Sequence, residues 1–142
     1  MPINEVRLKA RTLRGNWRNR VRKSFKKTPE LVESKLESLP TIDEVQQYLE
    51  TVDLTKDYLT GERIPTGKYE LDHKVPLARN GSLALDNIGP CTKRNNKMKG
   101  ELTESEYLSL RQTMASWPIE GVKVLEKRLN QSTIIFKPKV KK

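Results

Sequence analysis

The sequence predicts an α+β fold. Two observations carry this: both ends of the chain show helical periodicity with helix-start signals, and the middle shows turns and short strands without it. A third observation, an uneven charge distribution, bears on function. The chain has 142 residues, 35% of them hydrophobic, which suits one domain plus extensions.

In "EVRLKARTLRGNWRNRVRKSFKK", Val6, Leu13, Trp17, Val21 and Phe25 recur at one or two helical turns and make a narrow apolar stripe. Arg7, Arg11, Arg14, Arg18 and Arg22 lie off that stripe, on a cationic surface that can reach phosphates. "TPELVESKLESLP" predicts a helix with Thr28 as N-cap, Pro29 in its first turn and a stop at Pro40. In "TIDEVQQYLE", Thr41 and Glu44 have capping-box spacing, with Ile42, Val45, Tyr48 and Leu49 on one face. Residues 1–53 thus read as a basic helical region.

From Leu54 the pattern changes. "YLTGERIPTGKYELDHKV" has two Thr-Gly breaks and predicts short strands and turns. In "DNIGPCTKRNNKMKG", Pro90 suits a helix start and Gly100 its C-terminal end. Thr103 and Glu106 form a second capping box, a further helix is expected from Pro118 to about Asn130, and "STIIF" reads as a terminal strand. The core is expected over 54–102, and C-terminal helices with a basic tail over 103–142.

Residues 1–27 hold ten Lys or Arg against one acid, Glu5, and residues 137–142 add four lysines. The net charge is +10, yet residues 28–136 are mildly acidic. Basic ends on an acidic body point to a polyanion, and nucleic acid is favoured over a membrane surface. Deleting residues 1–27 is expected to weaken such binding. No run approaches the length of a membrane span, and the N-terminus lacks the apolar core of a secretory signal. One cysteine, Cys91, excludes an internal disulfide, and one Cys with one His excludes an ordinary zinc finger. The expected location is intracellular and cytoplasmic.

His73 is the sole histidine and directly follows Asp72. At the end of a strand, neighbouring side chains leave on opposite faces, so the two groups can take different tasks. Asn87 lies 14 residues after His73, and Asn96 lies 24 after Asp72. A helix carrying Asn96 against the strands would bring its amide beside Asp72.

"LDHKVPLARNGSLALDNIGPCTKRNNKMKG" resembles the HNH (ββα-metal) endonuclease motif, with Asp72, His73, Pro76, Gly81, Asn87, Pro90, Asn96, Lys99 and Gly100 in register. The resemblance implies a central ββα-metal core between flanking helices. It implies a metal-dependent DNA endonuclease in which Asp72 and Asn96 hold one divalent ion, Mg²⁺ or Mn²⁺. His73 is then the general base, and Asn87 the residue that buttresses the loop carrying it. Hydrolysis would leave a 5′-phosphate and a 3′-hydroxyl, one nick per active site. Lys93, Arg94, Lys97 and Lys99 are candidate phosphate contacts.

Many relatives in that family carry a structural zinc held by Cys-x-x-Cys pairs. Here Thr92 and Asn95 stand at the corresponding helix positions, so a zinc-free HNN variant is expected, braced by apolar packing. Small proteins of this kind are often phage-encoded, which would place this one in a host cytoplasm as a homodimer or part of a phage or restriction complex. The alternative from another class is a non-catalytic basic DNA-binding or assembly module on the same scaffold. An RNA-binding protein shares the charge pattern, but its composition of 6% aromatics offers little stacking surface.

Overall fold

Helix α1 (Ile3–Ser24) opens the chain, and its inward face explains much of the architecture. Val6, Ala10, Trp17 and Val21 recur along one side and are buried. They pack with Val45, Leu49, Leu77, Leu83 and Ile88 in the larger of two apolar clusters, against which Leu13 and Phe25 also rest. Arg7 bridges to Asp43 at 2.7 Å and donates to Gln46, while Arg14 Nε donates to the Pro40 carbonyl at 2.7 Å. The basic segment is therefore one wall of the core. Deleting residues 1–27 would remove buried apolar surface as well as charge, so it is not a clean test of binding.

A computed structural model describes residues 3–135, with side chains described for residues 5–128. The fold is α+β. After α1 come α2 (Pro29–Leu36), α3 (Ile42–Thr51), strand β1 (Glu70–His73), strand β2 (Ile88–Cys91), α4 (Lys93–Lys99), α5 (Glu104–Met114) and α6 (Ile119–Ile135). The strands pair antiparallel, with Asp72 opposite Gly89 and His73 opposite Ile88. Both expected capping boxes form, Thr41 with Glu44 and Thr103 with Glu106.

Five local expectations are corrected. Thr28 precedes α2 but makes no side-chain cap bond, and that helix ends at Leu36, short of Pro40. Pro90 lies inside β2, not at a helix start. It needs no amide there, because a proline is tolerated where a strand does not donate. Thr92 caps α4 instead, its hydroxyl accepting from Asn95 N. Ser132–Ile135 continue α6 as helix where a strand was expected; Phe136 and the lysines of the basic tail lie outside the described residues. Of the short strands expected over "YLTGERIPTGKYELDHKV", the part before β1 is reduced to one bridge, Lys56 with Arg63.

The brace between this segment and α4 is polar, where apolar packing was expected. Asp57, 1% exposed, accepts Leu59 N at 2.7 Å on Oδ1, and Thr92 N and Asn95 Nδ2, both at 2.8 Å, on Oδ2. Asn95 is fully buried and donates to Glu62 Oε1 at 2.7 Å. Its Oδ1 accepts from Tyr107 Oη at 2.6 Å and from Arg111 at 3.0 Å. One amide thus joins the segment, α4 and α5, with Leu59, Cys91, Met98, Tyr107 and Met114 packed around it.

Because every polar atom in this knot is satisfied, removing its centre leaves several buried groups without partners. Asn95→Ala is expected to destabilise the protein by about 3 kcal/mol in urea or guanidinium unfolding. A change under about 0.5 kcal/mol would show that the knot is not what holds α4 in place.

Candidate active site

The strand pairing, α4 and α1 converge on one open cavity of about 370 Å³. Asp72, His73, Asn96 and Lys97 line it, together with Arg20 and Ser24 of α1. Residues separated by 24 positions in the chain, Asp72 and Asn96, therefore reach one space, because α4 packs back along β1.

Asp72 is 8% exposed. Its Oδ2 accepts from Tyr58 Oη at 2.5 Å and pairs with Lys99 Nζ at 3.0 Å. Lys99, which the sequence suggests as a phosphate contact, is 1% exposed and also donates to the His73 carbonyl at 3.2 Å. It works inside the protein, holding the end of β1 to the last turn of α4. Burial and the neighbouring carboxylate push the Tyr58 phenol far up, so it remains a donor to Asp72.

His73 is 5% exposed, and its Nε2 is buried with no hydrogen-bond partner. The ring meets Trp17 edge to face, with centroids 6.1 Å apart. Burial, then the charges of Arg20 and Lys99, lower its pKa from 6.5 to about 4. The imidazole is therefore neutral at physiological pH. An unpartnered buried nitrogen with a strongly shifted pKa, on a cavity wall, has the character of a functional group.

Asn87 lies just before β2, at the end of a short 3₁₀ turn. Its Oδ1 accepts from Val75 N at 2.9 Å, and its Nδ2 donates to Val75 O at 3.0 Å and Ser82 O at 2.9 Å. Its own carbonyl accepts from Lys74 N at 2.8 Å. The side chain grips the backbone two residues beyond His73 and does not line the cavity. Gly81 lets that loop close, because a Cβ there would lie 1.9 Å from the Val75 carbonyl oxygen.

Asn96 donates from Nδ2 to Glu70 Oε1 at 2.7 Å. Glu70 shares a strand face with Asp72, two residues on. It was legible in principle from strand alternation; Tyr58 and Arg20 had no local signal. Among the suggested phosphate contacts, Arg11, Arg22, Lys93 and Lys97 are exposed. Arg94 pairs with Glu126 of α6, and Arg18 is half-buried with a Nε lacking a partner. Cys91 is buried, and burial drives its thiol pKa up, so it is no nucleophile.

No three or more His, Cys, Asp or Glu side chains among the described residues group to hold a metal. The donors on the cavity wall are one carboxylate and one amide, both hard oxygen ligands. That set suits Mg²⁺ or Mn²⁺, which keep waters and take further oxygens from phosphate, better than a tightly held softer ion. Comparison with family models, with curated proteins and with solved structures returns no match. No helix among the described residues is long and apolar enough to cross a membrane.

His73, being the sole histidine, gives one imidazole resonance to follow. Its NMR titration in EDTA is expected to have a midpoint near pH 4, against 6.5 for an exposed imidazole. Between those values the unfolded chain binds more protons than the folded one. His73 therefore adds stability that is complete above pH 6.5 and lost as pH falls toward 4, at up to about 1.4 kcal/mol per unit. A midpoint near 6.5 would mean that the ring is open to solvent.

Proposed function

We propose that this protein is a metal-dependent DNA endonuclease with an HNH-type ββα-metal core. The observation that carries the reading is the meeting of Asp72, His73 and Asn96 on one cavity wall, in the strand–strand–helix order the motif requires. Asp72 and Asn96 would hold one Mg²⁺ or Mn²⁺. That ion would offset the negative charge that builds on the phosphate and on the departing oxygen.

The chain's own groups do the rest. Neutral His73 takes a proton from the attacking water, a task a protonated lysine cannot perform at this pH. An entering phosphate offsets the fields of Arg20 and Lys99, which raises the basicity of the imidazole as substrate arrives. Asn87 keeps the His73 loop at a constant height, and Trp17 limits rotation of the ring. Lys99 and Tyr58 hold the Asp72 carboxylate by one oxygen, leaving Oδ1 for the ion. The new bond joins water oxygen to phosphorus as the proton passes to His73; the P–O3′ bond breaks and the departing oxygen takes a proton from solvent, giving a 5′-phosphate and a 3′-hydroxyl. One such site cuts one strand.

A second reading has its own observation. Asp72 Oδ2 already carries two strong bonds, to Tyr58 and Lys99, as a purely structural carboxylate would. On that reading the protein is a DNA-binding or assembly module on the same scaffold.

Supercoiled plasmid incubated with Mg²⁺ or Mn²⁺ separates them. Wild type is expected to nick it, EDTA to stop the reaction, and His73→Ala to lower the rate by about 10²–10⁴-fold while DNA retention persists. Equal rates would remove His73 from the chemistry; binding without any nicking would favour the module. For the basic surface, Arg11→Gln with Arg22→Gln should weaken DNA binding. The slope of log K against log salt should then drop by about 2. An unchanged slope would exclude that face from the interface.

A further inference from the structure

Arg20 stands apart from the other cations of α1. It lies one turn beyond Trp17, whose ring touches His73, and Ser24 follows one turn later on the same side. Arg20 and Ser24 both line the cavity that holds Asp72, His73, Asn96 and Lys97. Arg7 and Arg14 are engaged by Asp43, Gln46 and the Pro40 carbonyl, whereas Arg20 is exposed and in no ion pair among the described residues.

We propose that Arg20 is a substrate-binding residue of the cavity, its guanidinium holding the non-bridging oxygens of the phosphate to be cut. This deepens the nuclease reading and rests on it for the word "cut"; the phosphate site itself does not. Guanidinium presents parallel N–H donors matched to phosphate oxygens, and it remains charged at every relevant pH. Lys97 of α4, which also lines the cavity, supplies a second positive charge, and the Ser24 hydroxyl a neutral donor. Helix α1 therefore completes the pocket from outside the strand–strand–helix unit. The anion it takes is a phosphate ester, recognised through its non-bridging oxygens.

The test uses the full chain with thymidine 3′,5′-bisphosphate as probe, followed by calorimetry, alongside plasmid nicking. Arg20→Gln is expected to raise the bisphosphate Kd about tenfold or more, with Arg20→Lys recovering part of the loss. Nicking by Arg20→Gln should fall about 10²-fold, while retention of long DNA changes less than about threefold, since many other cations carry it. Lys68→Gln, an exposed cation that does not line the cavity, should leave bisphosphate affinity unchanged. Circular dichroism and thermal unfolding should match wild type, because Arg20 is exposed.

Equal bisphosphate affinity in wild type and Arg20→Gln overturns the proposal, as does a wild type that fails to bind the probe at all. A wild type that binds the probe through Arg20 yet nicks no DNA supports the phosphate site and overturns the nuclease reading instead.

Discussion

The buried ion pair between Lys99 and Asp72 is the constraint on which the rest of the site depends. Both groups are nearly inaccessible, and a charge so placed must be paired and hydrogen-bonded or the fold would shed it. Tyr58 supplies the second bond to the carboxylate, and the His73 carbonyl the second acceptor for the ammonium. The end of β1 and the last turn of α4 are thereby set at one separation. That separation places the Asp72 carboxylate and the Asn96 amide on the same wall. A looser, solvated pair would not define the distance, since exposed ion pairs contribute little and fluctuate.

Around this pair the structure uses two different kinds of support. On one side α1 provides apolar packing, with Trp17 against the imidazole and Val21 in the core. On the other, Asn95 and Asp57 provide a closed hydrogen-bond network tying α4 to the segment before β1. A directional polar knot fixes orientation where α4, only seven residues long, could not hold itself by helical propensity alone. Thr92 and Asn95 both belong to that knot.

The burial of His73 has a chemical consequence and a structural cost. Lowering its pKa keeps it neutral, but leaves a buried nitrogen without a partner, a feature most folds avoid. Local destabilisation at a cavity wall is what a group reserved for a ligand looks like. On the proposed nuclease reading, Arg20, one of the two cations that lower the pKa, would meet an incoming phosphate, so part of the field that depresses basicity would also attract substrate.

The sequence alone determined the helices, through their periodicity and their caps at Thr41 and Thr103, because those signals act within one or two turns. It also determined that Asp72 and His73 stand at the end of a strand, because the turn signals that bound it are local. Pro90 misled, since a residue that suits a helix start equally suits a strand that need not donate, and only the pairing partner decides. Three matters were decided by tertiary structure: that Lys99 is buried rather than facing solvent, that Asn95 is the centre of a brace, and that Arg20 reaches the cavity. Each depends on which elements pack together across 12 to 53 positions of chain, a distance over which no periodicity carries information.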